Sequence, residues 1–327
     1  MSLFHCRSAV TSVQGRRPSN QDAIVDVKFA DGRHLVAVAD GMGGHRSGEV
    51  ASAMALEVLS RELRSGLSLR DAIFAANAEV FQEANRDSAR AGMGTTVVAL
   101  LRSDAVYEIA NVGDSRAYRV DQHGIHRIST DHSFAEEAAS KALMGPDEIA
   151  RSPWRNALTR SLGTQESVDV DLFGPFEIAG RPHTVLLCSD GLYRSLADDT
   201  TWHHLVGSPD PETSARMLVD LALRHGSDDN ISAAVVQFEG APSAAHAGRA
   251  ARVPVAVGAG SLGPAPPRRA FHPERPSARA NELRPMRLAS RPSFLRRSLA
   301  VVFSDTVLFG LCTGILMMWL ALRLLQG

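Results

Sequence analysis

Five aspartates stand where short apolar runs of strand type begin or end, and no other feature of the sequence constrains the fold as strongly. The run HLVAVA leads into Asp40 and the run TVLLCS leads into Asp190, and both are apolar enough to be buried. The other three aspartates of this kind are Asp22, Asp114 and Asp229. Carboxylates are seldom buried unless they are paired or bound to a cation. We therefore expect the strand ends to bring several carboxylates together around a cation.

Taken alone, the stretch around Asp40 has an ordinary explanation, because Asp-Gly is a common turn dipeptide at a strand end. The glycines after Asp40 indicate that something approaches the backbone closely there. A nucleotide-binding loop does not fit, since GMGG lacks both the Lys-Ser/Thr pair and the GxGxxG spacing. The recurrence of the pattern favours a metal site. Ligand sets made of oxygen atoms favour Mg2+ or Mn2+ over zinc.

Cysteine usage and charge narrow the class of protein further. Cys6, Cys188 and Cys312 show no CxxC spacing, which argues against a disulfide framework or a zinc site and fits a reducing compartment. Residues 1–240 hold 23 Lys and Arg against 33 Asp and Glu, a net charge of −10. This acidic part is expected to bind cations and not nucleic acid. The N-terminal sequence does not match a signal peptide.

The C-terminal part of the chain differs in composition from residues 1–240, which indicates a second function. Residues 241–298 hold 11 Arg, two Glu and nine of the 16 prolines, so we expect a disordered, basic linker. In the region 299–327, Thr306 to Leu322 is 17 residues without a charge, the low end of what spans a bilayer. We expect a single-pass transmembrane helix; a buried or partner-bound hydrophobic helix is the alternative. The arginines before it would place residues 1–240 in the cytoplasm.

Within residues 1–240, helical and strand patterns follow one another without regular strand–helix–strand alternation. Apolar spacing predicts helices over 46–65, 68–86 and 212–225. Strand patterns occur around the GRRPSNQDA loop and over 92–101, 105–114, RAYRV, GIHRIS and 231–238. This order argues against a doubly wound parallel sheet and fits an α+β fold, in which helices lie outside two packed antiparallel sheets.

Eight short pieces, in this order, resemble the metal-dependent protein serine/threonine phosphatases of type 2C in their bacterial form. They span about residues 5–239 and read GRRPSNQDA, VAVADGMGGHRSGEVAS, GMGTTVV, IANVGDSRAYR, STDHS, RNALTRSLG, LLCSDGLYRSL and SDDNISAAVV. The resemblance implies a four-layer α-β-β-α sandwich for residues 1–240. It also implies hydrolysis of phosphoserine and phosphothreonine in proteins by a water activated between two Mn2+ or Mg2+ ions.

The resemblance assigns expected roles to particular residues. Asp40 would bridge the two ions, and the Gly41 carbonyl would be a further ligand. Asp190 would serve one ion and Asp229 the other, with Asn230 orienting Asp229. Asp22 would act through a bound water, and Asp114 with Asp190 would hold a third, weaker ion. Arg17 would clamp the substrate phosphate, a task that suits a planar guanidinium. Ser189 and Cys188 would be scaffold residues and not nucleophiles.

Three positions depart from the family pattern or leave its roles open. Gln21 stands where many members have Glu, and its amide can still hold a water. Met42 stands where some eukaryotic members have a His that is proposed as the leaving-group acid, and a thioether cannot donate a proton. His45 is either that acid or a surface histidine. A metal-bound water is a further candidate, so the identity of the acid stays open. Without the resemblance, Arg16 and Arg17 would be read as a solvated basic pair.

The segment 133–156 would be the flap beside the active site, anchored by Trp154; a surface helix-loop-helix without a catalytic role is the alternative. The expected partners are phosphoproteins and, by family analogy, a membrane serine/threonine kinase, with the phosphatase itself a monomer at the inner membrane. The rival function is an inactive, phosphatase-like scaffold. Such a protein is expected to have lost metal-binding aspartates, and all five are present. A calcium-stabilised structural protein does not fit, because the chain has no EF-hand loop.

Overall fold

A computed structural model of the chain describes residues 6–44, 47–196, 204–208 and 210–239. The strands are β1 (Cys6–Val13), β2 (Asp22–Lys28), β3 (His34–Met42), β4 (Gly94–Thr95), β5 (Val97–Ser103), β6 (Val106–Val112), β7 (Arg116–Asp121), β8 (Gly124–Arg127), β9 (Asp171–Glu177), β10 (His183–Cys188) and β11 (Ile231–Phe238). The helices are α1 (Ser47–Ser65), α2 (Leu69–Arg86), α3 (Phe134–Ser140), α4 (Pro146–Arg151), α5 (Asp190–Tyr193) and α6 (Pro211–Arg224), with a 3-10 turn at Ser88–Arg90.

The strands form two antiparallel sheets. One has the order β1-β11-β10-β7-β8, and the other has the order β2-β3-β5-β6-β9 with β4 paired to β3. Neighbours that are distant in sequence, such as β1 and β11, pair over their whole length. The expectation of an α+β fold with antiparallel sheets is therefore confirmed.

Strand β3 shows why its sequence is continuously apolar. Leu35, Ala37 and Ala39 face the cluster formed with α1 and α2, whereas Val36 and Val38 face the cluster between the two sheets. Successive side chains of a strand point to opposite faces. A strand covered on both faces must therefore be apolar at every position. This packing fixes the end of β3, and with it Asp40, inside the domain.

Helices cover the outer faces of both sheets. Helices α1 and α2 share a core cluster with the outward face of the sheet that contains β3. On the other sheet, α6 packs through Leu218, Val219 and Ala222 against a cluster that includes Val235 of β11. Helix α2 begins after Ser68, whose side chain accepts a hydrogen bond from the Asp71 N–H at 3.2 Å. Such N-caps stabilise a helix by about 1 kcal/mol.

Two details differ from the sequence expectations. Strand β9 was not predicted, because it lies at the end of its sheet and contains Gly174 and Pro175, which interrupt a strand pattern. In the flap region, α3 and α4 form a helix-loop-helix. The expectation that Trp154 anchors this region is wrong, since the residue is 67% exposed.

Some expectations concern residues outside the described ranges. The linker 241–298, the apolar region 299–327 and His45 all lie outside them. Among the helices that the structure describes, none combines the length and the apolar character needed to cross a bilayer.

Candidate metal and phosphate site

Antiparallel pairing brings four of the five aspartates to one end of the two sheets. In the pairing of β2 with β3, Asp22 lies directly opposite Asp40. In the other sheet, Asp190 follows β10 and Asp229 precedes its neighbour β11. The Ser189 N–H donates to the Ser232 carbonyl oxygen at 3.2 Å, which ties these two strand ends together.

The fifth aspartate, Asp114, lies on the loop between β6 and β7. Arg116, two residues after Asp114, pairs with Cys188, two residues before Asp190. Asp40, Gly41, Asp114, Asp190 and Asp229 all line a cavity of about 810 Å³, together with Arg17 and Arg194. The sequence expectation that these aspartates converge is confirmed.

Asp22 lies behind this cavity in a hydrogen-bonded niche. Ser189 and Ser232 donate their hydroxyls to Asp22 Oδ2 at 2.7 and 2.6 Å. Burial nevertheless raises the pKa of Asp22 to about 6, and the charges of Asp190 and Asp229 add to the rise. The same contacts place Ser189 and the neighbouring Cys188 inside the protein, where neither side chain is accessible to a substrate.

Asp40 has the most unfavourable electrostatic environment of the group. Burial raises its pKa well above 3.8, and the charges of Asp22, Asp190, Asp114 and Asp229 all raise it further. Burial also raises the pKa of Asp114 to about 7 and raises the pKa of Asp190, in both cases against the opposing effect of Arg194. Ionised together, these carboxylates need a compensating positive charge.

The oxygens of these carboxylates fit divalent cations. Within the described part of the chain, Asp22 Oδ1 and Asp190 Oδ1 are buried without a hydrogen-bond partner. Such atoms are costly unless something binds them. In the same ranges, no three His, Cys, Asp or Glu side chains are grouped closely enough to hold a metal ion by themselves. Cation binding here therefore requires further oxygen donors, such as a backbone carbonyl or water, which Mg2+ and Mn2+ accept readily.

The loop that carries Arg17 is held against Asp229 by Asn230. The Asn230 amide donates to the carbonyl oxygens of Gln14 and Ser19 at 2.8 and 2.9 Å, and its Oδ1 accepts from the Gln21 N–H at 2.9 Å. Arg17 Nη2 then lies 2.6 Å from Asp229 Oδ2. Asn230 thus positions the loop of Arg17, a task that the sequence did not indicate. Its backbone N–H also donates to Asp229 Oδ1 at 2.8 Å.

Glycines allow these backbones to approach closely. A Cβ on Gly41 would lie 2.0 Å from the carbonyl oxygen of Gly48 at the start of α1. A Cβ on Gly191 would lie 2.0 Å from the carbonyl oxygen of Asn230. The close approach that the glycines after Asp40 indicated is thus the packing of α1 on the end of β3.

Two further groups position the Asp114 loop. His132 Nδ1 accepts the Gly113 N–H at 3.1 Å, so the ring proton lies on Nε2, which contacts Asp171 Oδ2 at 3.1 Å. Burial lowers the pKa of His132. The second group is Arg194, which lies 2.8 Å from Asp114 Oδ2 and 3.0 Å from Asp190 Oδ2. Sequence reasoning missed Arg194, although its spacing of four residues from Asp190 was a signal.

Comparisons with known proteins identify the family of the chain. A sequence model of the family described as protein phosphatase 2C matches residues 11–221. The chain is 35% identical over 232 residues to the serine/threonine phosphatase stp of Listeria monocytogenes, covering 68% of this chain and 91% of that protein.

Solved structures show the same likeness. The serine/threonine phosphatase PstP/Ppp of Mycobacterium tuberculosis superposes with a TM-score of 0.62 at 31% identity, over 72% of this chain and 99% of that one. The catalytic domain of PstP in complex with two manganese ions superposes with a TM-score of 0.61 at 29% identity, over 72% and 99% of the two chains. The chain therefore belongs to the protein phosphatase 2C family and is a protein serine/threonine phosphatase.

Proposed function

We propose that Asp22, Asp40, Gly41, Asp190 and Asp229 bind two Mn2+ or Mg2+ ions and that Arg17 binds the substrate phosphate. The observation that carries this proposal is the environment of Asp40, a half-buried carboxylate whose pKa is raised by desolvation and by four other carboxylates. Such a cluster is favourable only when cations neutralise it. When bound, the two ions would neutralise phosphate charge and lower the pKa of water.

Each residue of the proposed metal site has its own role. Asp40, whose charge interacts with those of the other four aspartates, would be the ligand shared by the two ions. Asp190 would hold one ion and Asp229 the other, and the carbonyl of Gly41 would be a further oxygen donor. Asp22 is deeper, and its two serine partners occupy Oδ2 and leave Oδ1 for a water or an ion. Asp114 lies 2.8 Å from Arg194 and is not part of this two-ion ligand set.

Arg17 is the phosphate ligand that the cavity offers at its mouth. Its side chain is 53% exposed, so a phosphorylated side chain can reach it from solvent. The guanidinium presents a planar fork of donors that suits phosphate oxygens. Asn230 holds the loop on which Arg17 stands, which limits where the phosphate can lie.

Hydrolysis then needs no nucleophilic side chain from the strand end after β10. Ser189 is fully buried, and its hydroxyl is already donated to Asp22. Burial raises the pKa of the Cys188 thiol, which keeps it protonated. In this proposal a water molecule attacks phosphorus while the bond from phosphorus to the serine or threonine oxygen breaks. A proton from the water ends on the leaving oxygen, so the products are inorganic phosphate and the free hydroxyl side chain, without a phosphoenzyme.

For the cellular setting, we propose that residues 1–240 act in the cytoplasm on phosphoproteins at the inner membrane. The support is the charge-free apolar stretch Thr306 to Leu322 and the arginine-rich segment 241–298 before it. A membrane serine/threonine kinase is the partner of first interest, and the enzyme works as a monomer.

The test is hydrolysis of a phosphothreonine peptide and of p-nitrophenyl phosphate by the full-length chain. We expect activity with Mn2+ or Mg2+, loss in excess EDTA, and recovery when either metal ion is restored. Asp31→Asn changes an exposed carboxylate outside the cavity and serves as the control, with unchanged metal dependence. Undiminished activity in excess EDTA would show that the cavity works without metal and would refute the proposal.

A further inference from the structure

Arg194 places a permanent positive charge between two acidic side chains of the site. It follows helix α5, and its Nη1 lies 3.0 Å from Oδ2 of Asp190, one helical turn before it. Its Nη2 lies 2.8 Å from Oδ2 of Asp114, which comes from the loop between β6 and β7. One guanidinium therefore bridges two carboxylates that enter the cavity from different strands.

The two carboxylate oxygens of Asp190 have different contacts. Oδ2 is engaged by Arg194, whereas Oδ1 is buried and has no hydrogen-bond partner among the described residues. Oδ1 is thus available to a cation on the Asp40 side of the cavity. Asp114 is only 4% exposed, and its Oδ2 is held by the same guanidinium.

Neighbouring residues hold this arrangement in place. The Tyr193 hydroxyl donates to the carbonyl oxygen of Asp114 at 3.2 Å, which fixes the loop beside Arg194. The Tyr193 ring in turn lies 3.7 Å from the guanidinium of Arg116, and Arg116 forms a two-pronged ion pair with Asp131. The bridge is therefore part of a packed network and not a loose surface contact.

We propose that the guanidinium of Arg194 takes the place of a third divalent cation between Asp114 and Asp190, so that this phosphatase binds two metal ions and not three. This inference rests on the proposed function for the two ions at Asp40. A guanidinium and a divalent cation cannot both occupy the space between two carboxylates, because their charges repel at such short distances. The guanidinium is supplied by the chain itself, so this position is filled at any concentration of free metal ion.

The test counts Mn2+ bound per full-length chain by equilibrium dialysis at increasing free Mn2+. We expect two ions for the wild type and for Asp114→Asn. Arg194→Met removes the guanidinium and leaves both carboxylates, so it should bind a third, weaker ion. Arg194→Met combined with Asp114→Asn should return to two ions, and Arg194→Lys, which keeps the charge, should also bind two.

Arg61→Met is the matched control, because Arg61 also bridges two carboxylates, those of Glu62 and Glu79, but on the exposed surface of α1 and α2. It should bind two ions. A third ion in the wild type that Asp114→Asn removes would overturn the proposal, and so would a folded Arg194→Met protein that still binds two. A wild type that binds fewer than two ions would instead refute the proposed two-metal site, and this proposal with it.

Discussion

Nη2 of Arg17 lies 2.6 Å from Oδ2 of Asp229, although the two residues are 212 positions apart in the chain. The proposed phosphate ligand and one proposed metal ligand thus neutralise each other in this structure. Both groups must exchange partners when substrate and metal ions bind. The pair keeps the guanidinium aimed into the mouth of the cavity, so little ordering of Arg17 is needed when phosphate arrives.

Removing the Arg17 side chain should mainly weaken substrate binding. A charge-assisted hydrogen bond contributes about 1.5–3 kcal/mol, so Arg17→Ala should raise KM for a phosphothreonine peptide by about 10- to 100-fold. The phosphate is already charged before reaction, and kcat should therefore fall much less. Steady-state kinetics at saturating Mn2+ measures both constants. The neighbouring variant Arg16→Ala should leave KM near the wild-type value, and an unchanged KM in Arg17→Ala would contradict the assignment.

Asn230 should act on substrate binding through the loop that carries Arg17. Asn230→Ala removes two hydrogen bonds to the loop carbonyls and leaves the Gln21 N–H without its acceptor, so KM should rise. The decisive measurement is the double variant with Arg17→Ala. If Asn230 works by positioning Arg17, the two increases in KM will be less than multiplicative. Fully multiplicative increases would show that Asn230 acts independently of Arg17.

The positions of the metal-binding aspartates could be predicted because each one adjoins a run of strand-type residues. The pairing that brings them together could not be predicted in this way. Asp22 lies opposite Asp40 within one hairpin, which is a local relationship, but the approach of Asp190 to Asp114 depends on the non-local pairing of β7 with β10. Local patterns carry little information on which distant strands pair.

The contacts of Arg194 and the exposure of Trp154 are two further features that could not be predicted from the sequence. The spacing of Arg194 from Asp190 is visible in the sequence, but its contact with Asp114 depends on tertiary structure. Trp154 suggested an anchor because large aromatic side chains are usually buried. It lies instead in a segment of short helices whose described neighbours are mostly exposed, so no apolar surface covers it.

The repulsion around Asp40 should be measurable as a pH-dependent effect on stability. The raised pKa of Asp40 means that the folded chain binds a proton more tightly than the unfolded chain, whose carboxyl has the ordinary value of 3.8. The resulting destabilisation is absent below that value and grows as pH rises through the raised pKa. In EDTA, Asp40→Asn should therefore raise Tm at pH 8, by about 2–4 °C per kcal/mol, with a smaller gain at pH 5.

Differential scanning calorimetry of the wild type and Asp40→Asn at both pH values provides this measurement. Asp31→Asn, at an exposed carboxylate, should show no gain that grows with pH. The prediction fails if Asp40→Asn lowers Tm at pH 8 in EDTA. It also fails if the gain is larger at pH 5 than at pH 8.

Removal of residues 299–327 should release the protein from membranes and leave its activity intact. The described domain closes with β11 at Phe238, far in sequence from this region. Cell fractionation with a carbonate wash, followed by peptide hydrolysis, measures both properties. Full-length protein that a carbonate wash strips from membranes would refute the spanning anchor. Digestion of the N-terminal domain by protease added to intact cells would refute the proposed orientation.

If the metal centre depends on Asp40, a single variant at this position should lose both Mn2+ binding and turnover. Loss of groups that merely support metal ligands costs about 10- to 100-fold, so loss of the bridging ligand should cost at least as much. We predict that Asp40→Asn lowers kcat for a phosphothreonine peptide by about 100-fold or more and lowers the number of Mn2+ ions bound per chain. Asp31→Asn should change neither quantity. Near-normal turnover by a folded Asp40→Asn protein with a full complement of Mn2+ would show that Asp40 is not an essential metal ligand.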